Sequence, residues 1–301
     1  MKDKAKAMVL ASFAADSLAL APHWIYSINK IARDFGRIEN FLDPDPDSYH
    51  HTKKKGDFTH YGDQSFMLLE SLAARGSFDP EDFTQRWQKL FTGYDGYYDQ
   101  ATKGTLENLS VGKTPMEAGS SSNDLSGAAR IAPLIYCLRE DEEKLVSAAR
   151  TQTDMSHRDT YTVDASGFLA RVTYRVLHGM KPVSAVEEVT RTYFKGSRIE
   201  LWVGKGIESC TSESLQTIKT FGQDCYTPDA FPGVIHLICR YENDLKEALI
   251  ENVMAGGDSA ARGMAVGMVL GAHLGMGAIP EEWIKGLKKR QAIEKLLKKI
   301  T

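Results

Sequence analysis

The chain has 301 residues, enough for a substantial core in one large domain or two modest ones. Hydrophobic residues make up 42% and charged residues 26%, the balance of an ordinary globular protein. Lysine plus arginine is 37 against 40 acids, a net charge of −3 that excludes the basic surplus of a nucleic-acid binder.

The N-terminus, "MKDKAKAMVLASFAADSLALAP", is basic and then apolar. Asp16 interrupts the apolar run and the first turns have helical spacing, so it reads as a helix and not a signal peptide. The loop "HHTKKKGDFT" follows, with His50, His51 and His60 close by, but their separation matches no compact metal-ligand motif. "HYGDQS" (His60–Ser65) then opens an apolar helix, and its acid suits a helix N-terminus.

In "DPEDFTQRWQKLFTGY", Asp79 can cap a helix whose first turn holds Pro80, and Phe83, Trp87, Leu90 and Phe91 share one face. Tyr94, Tyr97 and Tyr98 in "GYDGYYDQ" suit stacking on a base or packing in the interior. The loop "EAGSSSND" includes Ser122 and Asn123, whose backbone N–H groups suit phosphate. "EDEEKLVSAARTQ" and "DASGFLARVTYRVLHG" read as helices, the second stopped by Gly179.

A second acid-bearing turn, "AGGDSAAR" (Ala255–Arg262), leads into "GMAVGMVLGAHLGMG". There Gly263, Gly267, Gly271 and Gly275 recur every four residues, which predicts a central helix approached closely by another backbone. The apolar stretch is short for a membrane span, so no membrane partner is expected. Pro280 in "PEEWIKGLKKRQAIEKLLKKI" opens a last helix. Strand-like alternation, linkers, repeats and low-complexity tracts are missing from the sequence, which predicts an all-α, compact single-domain helical bundle over residues 1–301. Four scattered cysteines with no Cys-x-x-Cys pair fit reduced thiols in a cytoplasmic protein.

The order of these segments resembles the ADP-ribosylglycohydrolases, a group that also takes in dinitrogenase-reductase-activating glycohydrolases and jellyfish J1 crystallins. "FAADSLALAPHW" is similar to the family's opening "GDALGxPxE", "HYGDQS" to its "TDDT", and "GTLENLSVGKTP" and "GAARIAPL" to the segments that follow. "MSHRDTYTVDASGFLARVTYRVLHG" resembles its "TH" helix, and "AGGDSAARGMAVGMVLGAHLG" its "GGDTDT" helix, with "IPEEW" after it. The resemblance implies an all-α fold around a binuclear Mg²⁺ centre that cleaves a glycosidic bond to ADP-ribose.

Set position by position, "TDDT" becomes Gly62, Asp63, Gln64 and Ser65, and "DTDT" becomes Asp258, Ser259, Ala260 and Ala261. On that register Asp63 and Asp258 are the catalytic acids and metal ligands, and so few carboxylates imply at most one Mg²⁺. His23 stands where the family places a glutamate and becomes the proton carrier. Gln64, Ser65, Ser259, Asp16, Ser122, Asn123 and His157 are the expected contacts to an ADP-ribose-like or nucleoside-like ligand. The alternative is a catalytically inactive, crystallin-like member. Oligomeric state is left open.

Overall fold

The computed structural model describes residues 1–300, which form seventeen α-helices and a short 3-10 turn (Met276–Ala278), with no strand among them. The first five helices are α1 (Lys2–Ala19), α2 (Ile28–Phe35), α3 (His60–Arg75), α4 (Pro80–Phe91) and α5 (Gln100–Ser110). A middle group follows: α6 (Ser126–Ala129), α7 (Ala132–Leu138), α8 (Glu142–Asp154), α9 (Thr160–Leu177), α10 (Pro182–Tyr193) and α11 (Arg198–Glu208). The chain closes with α12 (Ser214–Phe221), α13 (Thr227–Arg240), α14 (Leu245–Met254), α15 (Ser259–Leu274), α16 (Glu281–Gly286) and α17 (Arg290–Leu297).

Short polar side chains start many of these helices by accepting a backbone N–H that has no partner in the first turn. Asp79, Asp99, Asp141, Asp159, Asp244 and Asp258 do so for α4, α5, α8, α9, α14 and α15. Pro80 and Pro182 occupy first turns, where a missing N–H costs nothing. Gly179, at φ 100°, follows the end of α9 as its spacing predicts.

The core is built on α15 packed along α1, and both helices are almost wholly buried. The glycine stripe makes the close approach. A Cβ on Gly267 would lie 2.7 Å from the Ala11 carbonyl oxygen, and one on Gly271 would lie 2.7 Å from the Ala11 Cβ. Gly263 faces Asn252 instead, and Gly275 faces open space because it ends the helix at φ 77°. No described helix is long and apolar enough to cross a membrane.

The C-terminal segment differs from expectation. Its single predicted helix is broken into α16 and α17. Leu287 leaves the helical region at ψ 110°, and the Lys288 N–H donates to the Gly56 carbonyl (3.1 Å). The tie to the 50s loop outweighs the local helical preference of "IKGLKKRQ", and it aims Lys289 back at α3.

Candidate active site

The loop after α1 delivers His23 and Trp24. Trp24 is the one non-glycine residue at positive φ (65°) among those described, a conformation that needs support from its surroundings. Its N–H donates to the Gly257 carbonyl, and the Gly257 N–H returns to the Ile25 carbonyl, each at 2.9 Å. Gly257 also has positive φ, and a Cβ there would sit 2.0 Å from the Gln223 carbonyl oxygen. These contacts lock the loop onto the start of α15.

His23 therefore meets Asp258, with Nε2 3.0 Å from Oδ1, while its Nδ1 lies 2.8 Å from His50 Nε2. Asp258 is filled from other sides as well: its Oδ1 accepts the Ala261 N–H (3.1 Å) and its Oδ2 accepts the Tyr61 hydroxyl (3.3 Å). Burial pushes the pKa of both imidazoles down, His50 well below its ordinary value and His23 less so because Asp258 opposes the shift. His23 thus bridges Asp258 and His50 in a buried chain.

Asp63 belongs to a different network. Its Oδ2 accepts from Lys53 and from the Tyr94 hydroxyl, both at 2.8 Å, and its Oδ1 accepts from Lys289 at 2.9 Å. Burial works against its charge, but the two ammonium groups outweigh burial and hold the carboxyl below its usual range. Asp63 and Asp258 were expected to face each other over one ion; among the described residues they share no hydrogen-bond partner.

Nearby, a cleft of about 320 Å³ is walled by Trp24, Tyr26, Tyr49, Tyr61, Tyr97 and Tyr226 and floored by Asp99 and Asp124. Tyr26, Tyr49 and Tyr226 are about half exposed, so the cleft presents aromatic surface to water. Asp99 caps α5 through Oδ1, which accepts the Thr102 N–H at 2.7 Å. Its Oδ2 is buried with no hydrogen-bond partner among the described residues. His60 Nε2 stands 3.4 Å from that oxygen, outside hydrogen-bonding geometry, and both ring nitrogens of His60 are likewise unpartnered.

Asp124 is held tightly. Its Oδ1 accepts the Ser126 N–H (3.0 Å) and lies 2.9 Å from His157 Nε2, and its Oδ2 accepts the Ser122 hydroxyl (2.8 Å). The other His157 nitrogen, Nδ1, is 2.8 Å from Ser156 Oγ. Burial would raise both carboxyls. His157 outweighs it at Asp124, and His60 with His157 and the Thr102 contact outweighs it at Asp99, so both are held below their ordinary values.

Of the other expected contacts, Ser122 lines this cleft and His157 stands behind it through Asp124. Asn123 is next to it but uses its carbonyl to accept the Thr227 N–H. Gln64 is buried away from the cleft, accepting from Arg130 (2.5 Å) and Trp87 (2.9 Å), and Ser65 donates to the Arg130 carbonyl. Both Asp16 oxygens accept from Thr59, one from its N–H and one from its hydroxyl. Ser259 is fully buried with its hydroxyl unpartnered among the described residues. Asp99, Asp124 and His60 are the residues the sequence reading left out of the site. The sequence signals for them were the acid closing "GYDGYYD" and the acid closing the Ser-rich loop.

The whole chain, residues 1–301, matches the ADP-ribosylglycohydrolase family, and the protein belongs to that family. It is 23% identical to crystallin J1A of Tripedalia cystophora, over 94% of this chain and 91% of the crystallin. It is 24% identical to the ADP-ribosyl-[dinitrogen reductase] glycohydrolase of Rhodospirillum rubrum, over 78% and 74% of the two chains. A solved ADP-ribosylglycohydrolase-related protein complex shares the fold, with a TM-score of 0.80 at 23% identity, over 99% of this chain and 97% of that one.

The start of α3 turns His60 toward Asp99 and Tyr61 toward Asp258, and sends Asp63 to the lysines. Thr59 is the N-cap of α3, so His60 and Tyr61 lie in its first turn. The donors around Asp258 are an imidazole, a phenol and a backbone N–H, beside Ala260 and Ala261. This set does not fit Mg²⁺, which takes oxygen ligands in a near-octahedral shell. At Asp63 two lysines already supply the cationic charge.

Proposed function

We propose that this chain is a glycohydrolase that cleaves an N- or O-glycosidic bond of an ADP-ribose-like or nucleoside-like compound bound in the aromatic cleft. The observation that carries the reading is the buried, unpartnered Asp99 Oδ2 on the floor of that cleft. The tyrosines and Trp24 offer faces for a base or a ribose. Asp99 and Asp124 present negative charge beneath the oxocarbenium-like sugar formed as the glycosidic bond breaks; water adds to the sugar carbon, and the proton it gives up ends on the departing group. Asp258 and His23 act at one remove, by holding Tyr61 and Trp24 in the wall. Four free thiols suit a cytoplasmic setting.

The test is product release from a panel of N- and O-linked ADP-ribose conjugates and nucleosides, followed chromatographically. Asp99→Asn keeps an acceptor for the Thr102 N–H and should lower kcat at least 100-fold with little change in melting temperature. Turnover unaffected by Asp99→Asn would refute the assignment. A second reading is a binding or structural role, favoured by Ala260 and Ala261 beside Asp258, which carry no side-chain ligand. Ligand binding with no turnover on any of the panel would establish it.

A further inference from the structure

We propose that Asp99, Asp124 and His157 form a site for a single divalent transition ion of the Zn²⁺ class, placed at the floor of the cleft. The site shares that cleft with the proposed function but uses none of the positions at which the family motif was set. One donor atom from each of the three residues can be chosen so that all lie within 4.8 Å of one another. Bonds of about 2.0–2.2 Å put neighbouring donors roughly 3–4 Å apart, so the three side chains draw together to complete the shell.

Two further observations point to a missing occupant. Asp99 Oδ2 is buried without a hydrogen bond, an arrangement that costs free energy unless something fills it. His60, fully buried, aims Nε2 at the same oxygen from 3.4 Å and has no partner for either nitrogen among the described residues. Two carboxylates neutralise a dication, so with the ion bound Asp99 and Asp124 no longer offer the free negative charge that the proposed function uses, and the two are competing uses of one pair of acids. When Nε2 of His157 turns from Asp124 to the ion, its proton sits on Nδ1 and points at Ser156 Oγ, 2.8 Å away. That outer hydrogen bond is the usual support of a metal-bound imidazole. The mixed imidazole and carboxylate set selects against Mg²⁺. His60, with Nε2 3.4 Å from Asp99 Oδ2, stands beside the site.

The test is calorimetric titration of the full chain, stripped with chelator, using ZnCl₂ and then MgCl₂. Melting curves and the visible spectrum of the Co²⁺-loaded protein run alongside. The expected result is one Zn²⁺ per chain at micromolar Kd or tighter, undisturbed by millimolar Mg²⁺. Asp99→Asn should weaken it at least tenfold and abolish the Zn²⁺-induced rise in melting temperature. His51→Ala, on an exposed histidine, should leave it unchanged.

The proposal is overturned by the absence of a stoichiometric Zn²⁺ site, by preference for Mg²⁺, or by Zn²⁺ binding that survives both Asp99→Asn and Asp124→Asn. Because Asp99→Asn retains its cap, the result does not hang on whether Asp124→Asn folds. Zn²⁺ binding without turnover keeps this site and sinks the hydrolase reading, whereas turnover without Zn²⁺ binding does the reverse.

Discussion

Asp16 shows how a single acid reports on its surroundings. It is fully buried at the end of the opening helix, and burial pushes its pKa up to about 7 despite two hydrogen bonds from Thr59. A folded pKa above the unfolded value of 3.8 means that the folded state holds the proton more tightly. Its contribution is therefore most favourable below about pH 4 and declines as pH rises toward 7. Asp16→Asn should remove that decline. In urea unfolding, the variant should gain on the wild type by up to about 4 kcal/mol between pH 4 and pH 8. A constant difference across that range would place the raised pKa elsewhere. At this scale the sequence pointed to Asp63 and Asp258, passed over Asp99 and Asp124, and did not disclose the neighbours of any of them. Asp63 attracted the motif because it is the one carboxylate in "HYGDQS", yet consecutive helical residues point about 100° apart, so it faces lysines while Tyr61 faces Asp258.

At the level of elements, the caps, the prolines and the apolar spacing carried the helices, because each depends on residues within one turn. The glycine stripe of α15 was legible for the same reason, but its partner was not. Gly267 and Gly271 meet Ala11, some 250 residues away in sequence, and only packing shows that small residues on both helices bring the backbones together. Gly267→Ala should destabilise by about 1–3 kcal/mol, since overpacking against a main-chain carbonyl exceeds the gain in helix propensity. Gly204 lies inside α11 with open space where a Cβ would go, so Gly204→Ala should stabilise by roughly 0.5–1 kcal/mol. Urea midpoints of the pair check both signs. The break between α16 and α17 escaped the sequence because the deciding hydrogen bond comes from Gly56.

Across the whole molecule, the broken C-terminal segment brings Lys289 onto Asp63, and Lys53 closes the same carboxylate from the 50s loop. Lys289 is partly exposed, so its ion pair is screened and the cluster is worth less than a fully buried one. Asp63→Asn should cost on the order of 1–2 kcal/mol, and the loss should shrink in high salt, as unfolding in 0.05 and 1 M NaCl would show. A salt-independent loss would mean that the Tyr94 hydrogen bond matters more than the lysines. The sequence by itself determined the all-helical class, most helix starts and the family, because capping, periodicity and motif order are properties of short or ordered segments. The tertiary structure decided which residues meet in the cleft. Trp24, Tyr61, Asp99, Asp124, His157 and Tyr226 lie on separate loops and helix starts, and whether two acids share a cleft depends on which way each helix turns when it packs.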